Sequence, residues 1–179
     1  MQYIQHKTAL AISAFFFFGL SACSPQAAQT TDQHIYLVRH AEKVLNVDDP
    51  VLTPEGEARA VILKDRLGDI GVTAIYSSDY RRTLATAAPL AEDKGLTIIK
   101  YDPRDLPGLA ARLKAECVTC VVVGHSNTTP QLAAELGGQP GAEIVEATEY
   151  DRLYHIVITQ KDGENGEIVT SKIERYGAP

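Results

Sequence analysis

Two histidines and two arginines sit where apolar runs of this chain stop abruptly. Ile35-Tyr36-Leu37-Val38 ends in Arg39-His40, and Val121-Val122-Val123 ends in Gly124-His125-Ser126-Asn127. A third short run, Thr73-Ala74-Ile75-Tyr76, leads through Ser77-Ser78-Asp79 to Arg81-Arg82. A neutral imidazole is a nucleophile and proton carrier near neutral pH. A guanidinium fork matches the oxygens of a phosphoryl group. If the three run ends meet, they form an anion site suited to a phosphoryl group. If they do not, they are charged strand ends that have reached the surface.

The elements that must position them alternate. An apolar run with β-branched and aromatic residues predicts a buried first strand over His34–Arg39. After a loop, Thr53 as N-cap and Pro54 at the first helical position open a helix to about Leu67, with Ala58, Val61, Ile62 and Leu67 on one side. Val72–Ser77 reads as a second strand, with Ser77-Ser78-Asp79 as the cap cluster of a helix over Asp79–Lys94 in which Pro89 suggests a kink or an early stop. Leu96–Tyr101 is a third strand and Leu106–Ala115 a third helix. Val118–Gly124, the most apolar strand, suits the centre of a parallel sheet. Thr129-Pro130 starts a fourth helix that stops at Gly137-Gly138, and Leu153–Gln160 and Glu167–Arg175 form a hairpin around Lys161–Gly166. The predicted fold is α/β: a three-layer sandwich with a mostly parallel central sheet, helices on both faces and a C-terminal antiparallel hairpin. Parallel strands end on one sheet edge, where such sheets bind ligands, so the three polar run ends can converge.

The amino terminus reads as a separate unit. Lys7 precedes an apolar stretch, Ala9–Leu20, that is shorter than the ~20 residues a bilayer span needs. It ends in Leu20-Ser21-Ala22-Cys23, which resembles the lipobox of bacterial lipoproteins and implies cleavage before Cys23 and lipidation of its thiol. Residues 1–22 are then a lipoprotein signal peptide, residues 23–33 a small polar linker after the lipidated cysteine, and residues 34–179 the folded domain. Ser24 after the cysteine implies sorting to the outer membrane, facing the periplasm. Two cysteines remain, Cys117 and Cys120. An exported chain permits a disulfide between them; two buried thiols are the alternative. They lead into a strand rather than open a helix, which speaks against redox catalysis. The net charge of −6 and the scattered arginines exclude a nucleic-acid groove.

Four stretches together resemble the histidine phosphatase superfamily, the phosphoglycerate-mutase-like proteins. Leu37-Val38-Arg39-His40-Ala41-Glu42 resembles its Arg-His-Gly signature, with Ala41 in place of the glycine. Leu52-Thr53-Pro54-Glu55-Gly56, with Ala60, resembles the next motif. Tyr76–Ala87 resembles the Ser-Ser-x-x-x-Arg-Ala-x-x-Thr-Ala stretch, whose Thr86-Ala87 sets Arg82 rather than Arg81 as the matching arginine. Val123–Asn127 matches the second histidine motif. The resemblance implies that His40 is the nucleophile and forms a phosphohistidine, while Arg39, Arg82 and His125 bind the phosphoryl oxygens. It implies no metal and no cofactor. A carboxylic acid supplies the leaving-group proton in many members; Asp105 is nearest in register, Asp102 second, with Glu42 and Glu149 as outsiders. His34 and His155 match no motif. The implied function is that of an exported, membrane-anchored phosphatase, a hydrolase of phosphomonoesters, with a phosphorylated small molecule as substrate. Alternatives are a phosphate-binding or interaction lipoprotein without turnover, a phosphoglycerate-mutase-like phosphotransferase and a structural envelope lipoprotein. Specificity falls to the loops Lys43–Val51 and Asp102–Gly108.

Overall fold

A computed structural model describes residues 32–160 and 166–178. The signal peptide, Cys23, most of the linker and Lys161–Asn165 of the expected turn lie outside the described residues. Ten elements follow in order: β1 Gln33–Arg39, α1 Pro54–Leu67, β2 Ala74–Ser78, α2 Arg81–Lys94, β3 Ile98–Tyr101, α3 Leu106–Glu116, β4 Thr119–Gly124, α4 Thr128–Glu135, β5 Arg152–Gln160 and β6 Glu167–Arg175. They build one six-stranded sheet in the order β3-β2-β4-β1-β5-β6. β1 to β4 run parallel to their neighbours among themselves, while β5 is antiparallel to β1 and β6 to β5. The expected α/β architecture with its antiparallel hairpin is therefore present.

The strand pleat explains the two cores. Along β1, Ile35 and Leu37 point to one face, and Tyr36 and Val38 to the other. Along β4, Cys120 and Val122 join the first face, Val121 and Val123 the second. Period-two alternation with both faces apolar is what a doubly covered parallel strand requires. α3 and α4 cover the first face with Leu106, Leu109, Leu113, Leu132 and Leu136. α1 and α2 cover the second with Leu63, Leu67, Ala87 and Leu90.

Several local expectations need correction. Gln33 is not linker: it opens β1, and its Nε2 donates to the carbonyls of Lys114 and Cys117 at 2.9 and 2.8 Å. The buried side of α1 is Gly56, Arg59, Ala60, Leu63 and Leu67, while Val61 and Ile62 are exposed. Arg59 explains the shift, since it donates to both Glu42 carboxylate oxygens and to the carbonyls of Tyr176 and Ala178. A buried arginine satisfied in this way takes a core position that apolar counting assigns elsewhere. β2 extends through Ser78, so the serines are strand residues and α2 starts only at Arg81. Pro89 does not stop α2, which continues to Lys94. Cys117 and Cys120 are joined as a disulfide, with Cα atoms 6.0 Å apart across the turn from α3 into β4.

The connections define one crevice. β1 leads through α1 across β4 to β2, whereas β4 leads through α4 across β1 to β5. The neighbouring strands β1 and β4 thus send their chains in opposite directions, leaving a gap beyond their carboxyl ends.

Candidate active site

The register of the sheet brings the polar run ends together. Arg39 is paired with Gly124, and Ser77 with Val123, so His40, His125 and Ser78 lie at one edge. The His40 backbone N–H donates to the Gly124 carbonyl at 2.9 Å, closing the ends of β1 and β4. The His40 side chain is buried, and its Nδ1–H donates to the Ala41 carbonyl at 2.8 Å. A carbonyl only accepts, so this bond fixes the tautomer and leaves Nε2 with its lone pair. Burial pushes His40 down to about 3; the Ala41 carbonyl opposes this, and the charges of Arg39 and Arg82 add to it. The imidazole is therefore neutral at any ordinary pH, as a nucleophile must be.

His125 stands beside it, with the two rings edge to face at 5.6 Å between centroids. Arg82 Nη2 lies 3.3 Å from His125 Nδ1 and donates to it. His125 Nε2–H then donates to Ser78 Oγ at 2.9 Å, and Ser78 passes its own proton to Thr83 Oγ1 at 3.1 Å. The chain of donors orients the ring from behind. Burial, reinforced by Arg82, pushes His125 down to about 4. Arg82 packs over the Tyr80 ring at 4.6 Å and pairs with Asp49 at 3.7 Å. Its Nε has no partner among the described residues.

Both histidines are thus held neutral well below the ordinary imidazole value of ~6.5. The unfolded chain binds their protons first, so stability rises with pH across this window. Their contribution is complete above about pH 6.5 and is lost as pH falls toward 4. His155, lowered chiefly by burial, adds to the same slope. Urea midpoints should fall between pH 7 and pH 5, and a His125→Gln variant should show a shallower fall.

The signature segment is fixed by contacts that account for two motifs at once. The Ala41 N–H donates to Thr86 Oγ1 at 2.9 Å, and Thr86 donates to the Arg82 carbonyl at 2.7 Å. Ala41 replaces the expected glycine without strain: its φ is not positive, and its methyl is buried with Leu52 and Ala60. Thr53 caps α1 through Gly56 N–H at 3.2 Å, and the Thr53 N–H donates to the Glu42 carbonyl at 3.0 Å. Gly56 lies against that carbonyl, and a Cβ there would fall 2.2 Å from Glu42 O. Backbone on both sides leaves nothing to yield. Gly56→Ala should lower stability by about 2–3 kcal/mol in chemical denaturation and should reduce whatever activity depends on His40, two residues from Glu42.

A cavity of about 320 Å³ lies over the histidines, bordered by His40, Lys43, Tyr80, Arg82, Arg104, His125, Ser126 and Glu146 among others. Arg81 is exposed and outside it. Arg39 also lies outside this lining. It is buried, with 1% exposure, and its Nη1 and Nη2 donate to the carbonyls of Glu149 and Glu146 at 2.9 and 2.8 Å. Its guanidinium stacks 4.0 Å from the Tyr150 ring, and Nε has no protein partner. Of the expected pair of arginine clamps, Arg82 borders the cavity and Arg39 does not.

The expected proton donors are placed elsewhere. Asp105 caps α3, accepting from Gly108 N–H at 3.0 Å, and does not border the cavity. Asp102 is bound to its neighbour Arg104, which holds it down at about 2. Glu42 is spent on Arg59. Glu149 is held at about 2, first by Arg152, and pairs with Arg175 as well. The carboxylate that does border the cavity is Glu146, which the sequence reading missed. It accepts from Ser126 Oγ and pairs with Arg39 at 3.4 Å and Lys43 at 3.5 Å. Burial raises Glu146, but Ser126, Arg39 and Lys43 outweigh it and leave the group lowered. No motif or periodic pattern marks Glu146 in the sequence; contacts more than 100 residues away bring it in.

Comparisons with known proteins bear on the fold and the family. Residues 35–104 match the family model of the histidine phosphatase superfamily, branch 1. A protein described as a probable phosphoglycerate mutase from Erwinia tasmaniensis is 36% identical over 77 residues, 39% of this chain and 35% of that relative. Its counterpart from Escherichia fergusonii is 39% identical over the same length and shares. The chain thus spans only about a third of the length of the curated relatives it matches, 35%. Among solved structures, a mycobacterial hydrolase has a TM-score of 0.65 at 17% identity, covering 83% of this chain and 93% of that one. Mycobacterial glucosyl-3-phosphoglycerate phosphatase gives 0.61 at 16% identity, covering 83% and 100%. The protein histidine phosphatase SixA, complexed with tungstate, gives 0.57 at 16%, covering 80% and 96%. At these identities the structural likeness is one of fold. Together the comparisons support the histidine phosphatase superfamily.

Proposed function

We propose that this chain is a phosphatase that hydrolyses phosphomonoesters through a phosphohistidine at His40. The observation that carries the reading is the His40 imidazole: buried, held in one tautomer by the Ala41 carbonyl, and neutral beside Arg82 and His125. The Nε2 lone pair attacks phosphorus in line, and the bond from phosphorus to the ester oxygen breaks. The ester oxygen leaves with the bond pair and takes a proton. Water then attacks the phosphorus of the phosphohistidine and gives a proton to the carboxylate that protonated the leaving group; the N–P bond breaks with its pair returning to His40 Nε2, and inorganic phosphate departs.

Arg82 serves as the wall clamp on the phosphoryl oxygens, where a guanidinium stabilises charge that spreads in the transition state. Arg39 adds its charge to the site, where it acts on His40. His125, oriented by Ser78, accepts from Arg82 and so aims that guanidinium at the phosphoryl group. The leaving-group proton is assigned to Glu146, the carboxylate at the cavity. The relatives described as phosphoglycerate mutases and the phosphatases of the same fold support phosphomonoester chemistry as the class.

The reading includes export and a lipid anchor on Cys23 at the outer membrane, supported by Leu20-Ser21-Ala22-Cys23 and Ser24. Labelling of the full chain with radioactive palmitate should succeed and should be lost in Cys23→Ala. For the reaction itself, the purified protein in EDTA should release p-nitrophenol from p-nitrophenyl phosphate. Tight phosphate binding without turnover would instead favour a binding lipoprotein.

A further inference from the structure

The sheet has two edges, and they differ. β3, at one end, is four residues long, whereas β6, at the other, is nine. An edge strand carries a row of backbone groups without ladder partners, so it is a template for another strand. Folded chains blunt a long edge with proline, a bulge or a covering segment. β6 contains no proline, and it pairs with β5 in one unbroken register, from Arg152 with Arg175 to Gln160 with Glu167.

The first bond past its end shows which way its backbone groups point. The Tyr176 N–H donates to the Asp151 carbonyl at 2.9 Å. Bonded and non-bonded pairs alternate along an antiparallel ladder, so the even-numbered residues of β6 bond to β5. Glu167, Val169, Ser171, Ile173 and Arg175 then turn their N–H and C=O groups outward. Among the described residues nothing bonds to that row. The side chains of these five share one face of the sheet, where Val169 and Ile173 pack on the first core.

The outward row is complementary to itself. Two copies of β6 set antiparallel about Ser171 place Glu167 opposite Arg175, Val169 opposite Ile173, and Ser171 opposite Ser171. Ion pairs then close both ends of the ladder, and the apolar pairs continue the first core across the join. On the other face Lys172 meets Thr170 and keeps its own Glu174 at 2.8 Å. Centring on Lys172 instead sets two lysines opposite each other, and centring on Thr170 sets Glu167 against Ile173. Both end charges have atoms to spare among the described residues. Glu167 contacts Lys114 through Oε1 alone, and Arg175 contacts Asp151 and Glu149 through Nη1 alone.

We propose that β6 is an interaction surface for a second copy of this chain, the two six-stranded sheets joining edge to edge as one. The two-fold axis passes between the Ser171 residues, perpendicular to the sheet, and the contact is isologous and closed. β5 separates β6 from β1, and no β6 residue borders the cavity over His40, so the inference stands apart from the phosphatase reading.

The test is the mass of the purified full chain by light scattering, read together with amide hydrogen exchange. The wild type should be a dimer with slow exchange at Val169, Ser171 and Ile173. Glu167→Lys brings like charges together at both ends of the ladder, as does Arg175→Glu. Each should raise the dissociation constant about tenfold or more and release those amides. An equal mixture of the two variants should dimerise again, because the new lysine of one faces the new glutamate of the other, and Arg175 of the first faces Glu167 of the second. Where Arg175→Glu does not fold, Ser171→Pro takes its place. Proline there removes the outward N–H at the axis, leaves the β5 ladder intact and should give a monomer. A wild-type monomer overturns the inference; slow exchange of the edge amides in that monomer means that another segment of this chain covers the edge. A dimer that survives both Glu167→Lys and Ser171→Pro also overturns it, because the copies then meet elsewhere.

Discussion

His40→Asn is expected to lose at least about 10⁴-fold in kcat on p-nitrophenyl phosphate, the scale seen when a covalent nucleophile is removed. Asparagine is smaller than histidine but keeps an amide donor for the Ala41 carbonyl, so the buried polar contact at this site is retained. What it lacks is a basic nitrogen pointing at the pocket. The neighbouring His125→Gln should lose about 10²-fold to 10³-fold, the range for disturbing one preorganised charge-stabilising group, here the Arg82 guanidinium that His125 aims. The order of the two effects matters. His125 Nδ1 accepts from Arg82, so the proposal gives it a positioning part and puts the bond to phosphorus on His40. Equal losses in the two variants, measured by steady-state kinetics with folding checked by circular dichroism, would contradict that division.

Glu146→Gln is expected to split substrates by their leaving groups. An alkoxide leaves poorly without a proton, whereas p-nitrophenolate leaves unaided. The variant should therefore lose about 10²-fold to 10³-fold on an alkyl phosphate and less than about tenfold on p-nitrophenyl phosphate. The Glu146 carboxyl is held low by Ser126, Arg39 and Lys43. On the proposed reading, a phosphoryl dianion competes for those cations and raises the carboxyl, which then takes up the proton it donates to the leaving group. The pH profile of kcat on the alkyl phosphate should accordingly fall on the alkaline side and lose that limb in Glu146→Gln. A uniform loss on both substrates would instead assign Glu146 to holding Arg39 and Lys43 in place.

The parts of this arrangement that are legible in the sequence are those with local causes. Ile35–Val38 and Val121–Val123 announce central strands because both faces of a buried parallel strand must be apolar. The polar residues after them announce a site because the parallel strands share one edge. Thr53-Pro54 announces a helix start because capping is local, and Gly56 then finds its reason in the Glu42 carbonyl. Other features depend on distant partners. Ser78 looks like a cap residue in its own neighbourhood but is a strand residue that bonds His125, 47 positions later. The buried side of α1 is misread by hydrophobicity because Arg59 is satisfied by Glu42 and the C-terminal carbonyls. Asp105 sits in the right loop for an acid, yet the local pull of the Gly108 N–H makes it a cap. Glu146 has no local signature at all, since its position follows from Arg39 and Lys43.

The central claim is that His40 carries the phosphoryl group, and trapping that adduct tests it most directly. The purified protein is mixed with ³²P-labelled phosphomonoester, quenched in alkali within the first turnover, and the labelled peptide is mapped by mass spectrometry. The account predicts label that is stable in alkali, released by acid and confined to His40, and absent from His40→Asn. Label on another residue, or full turnover by His40→Asn, would contradict it.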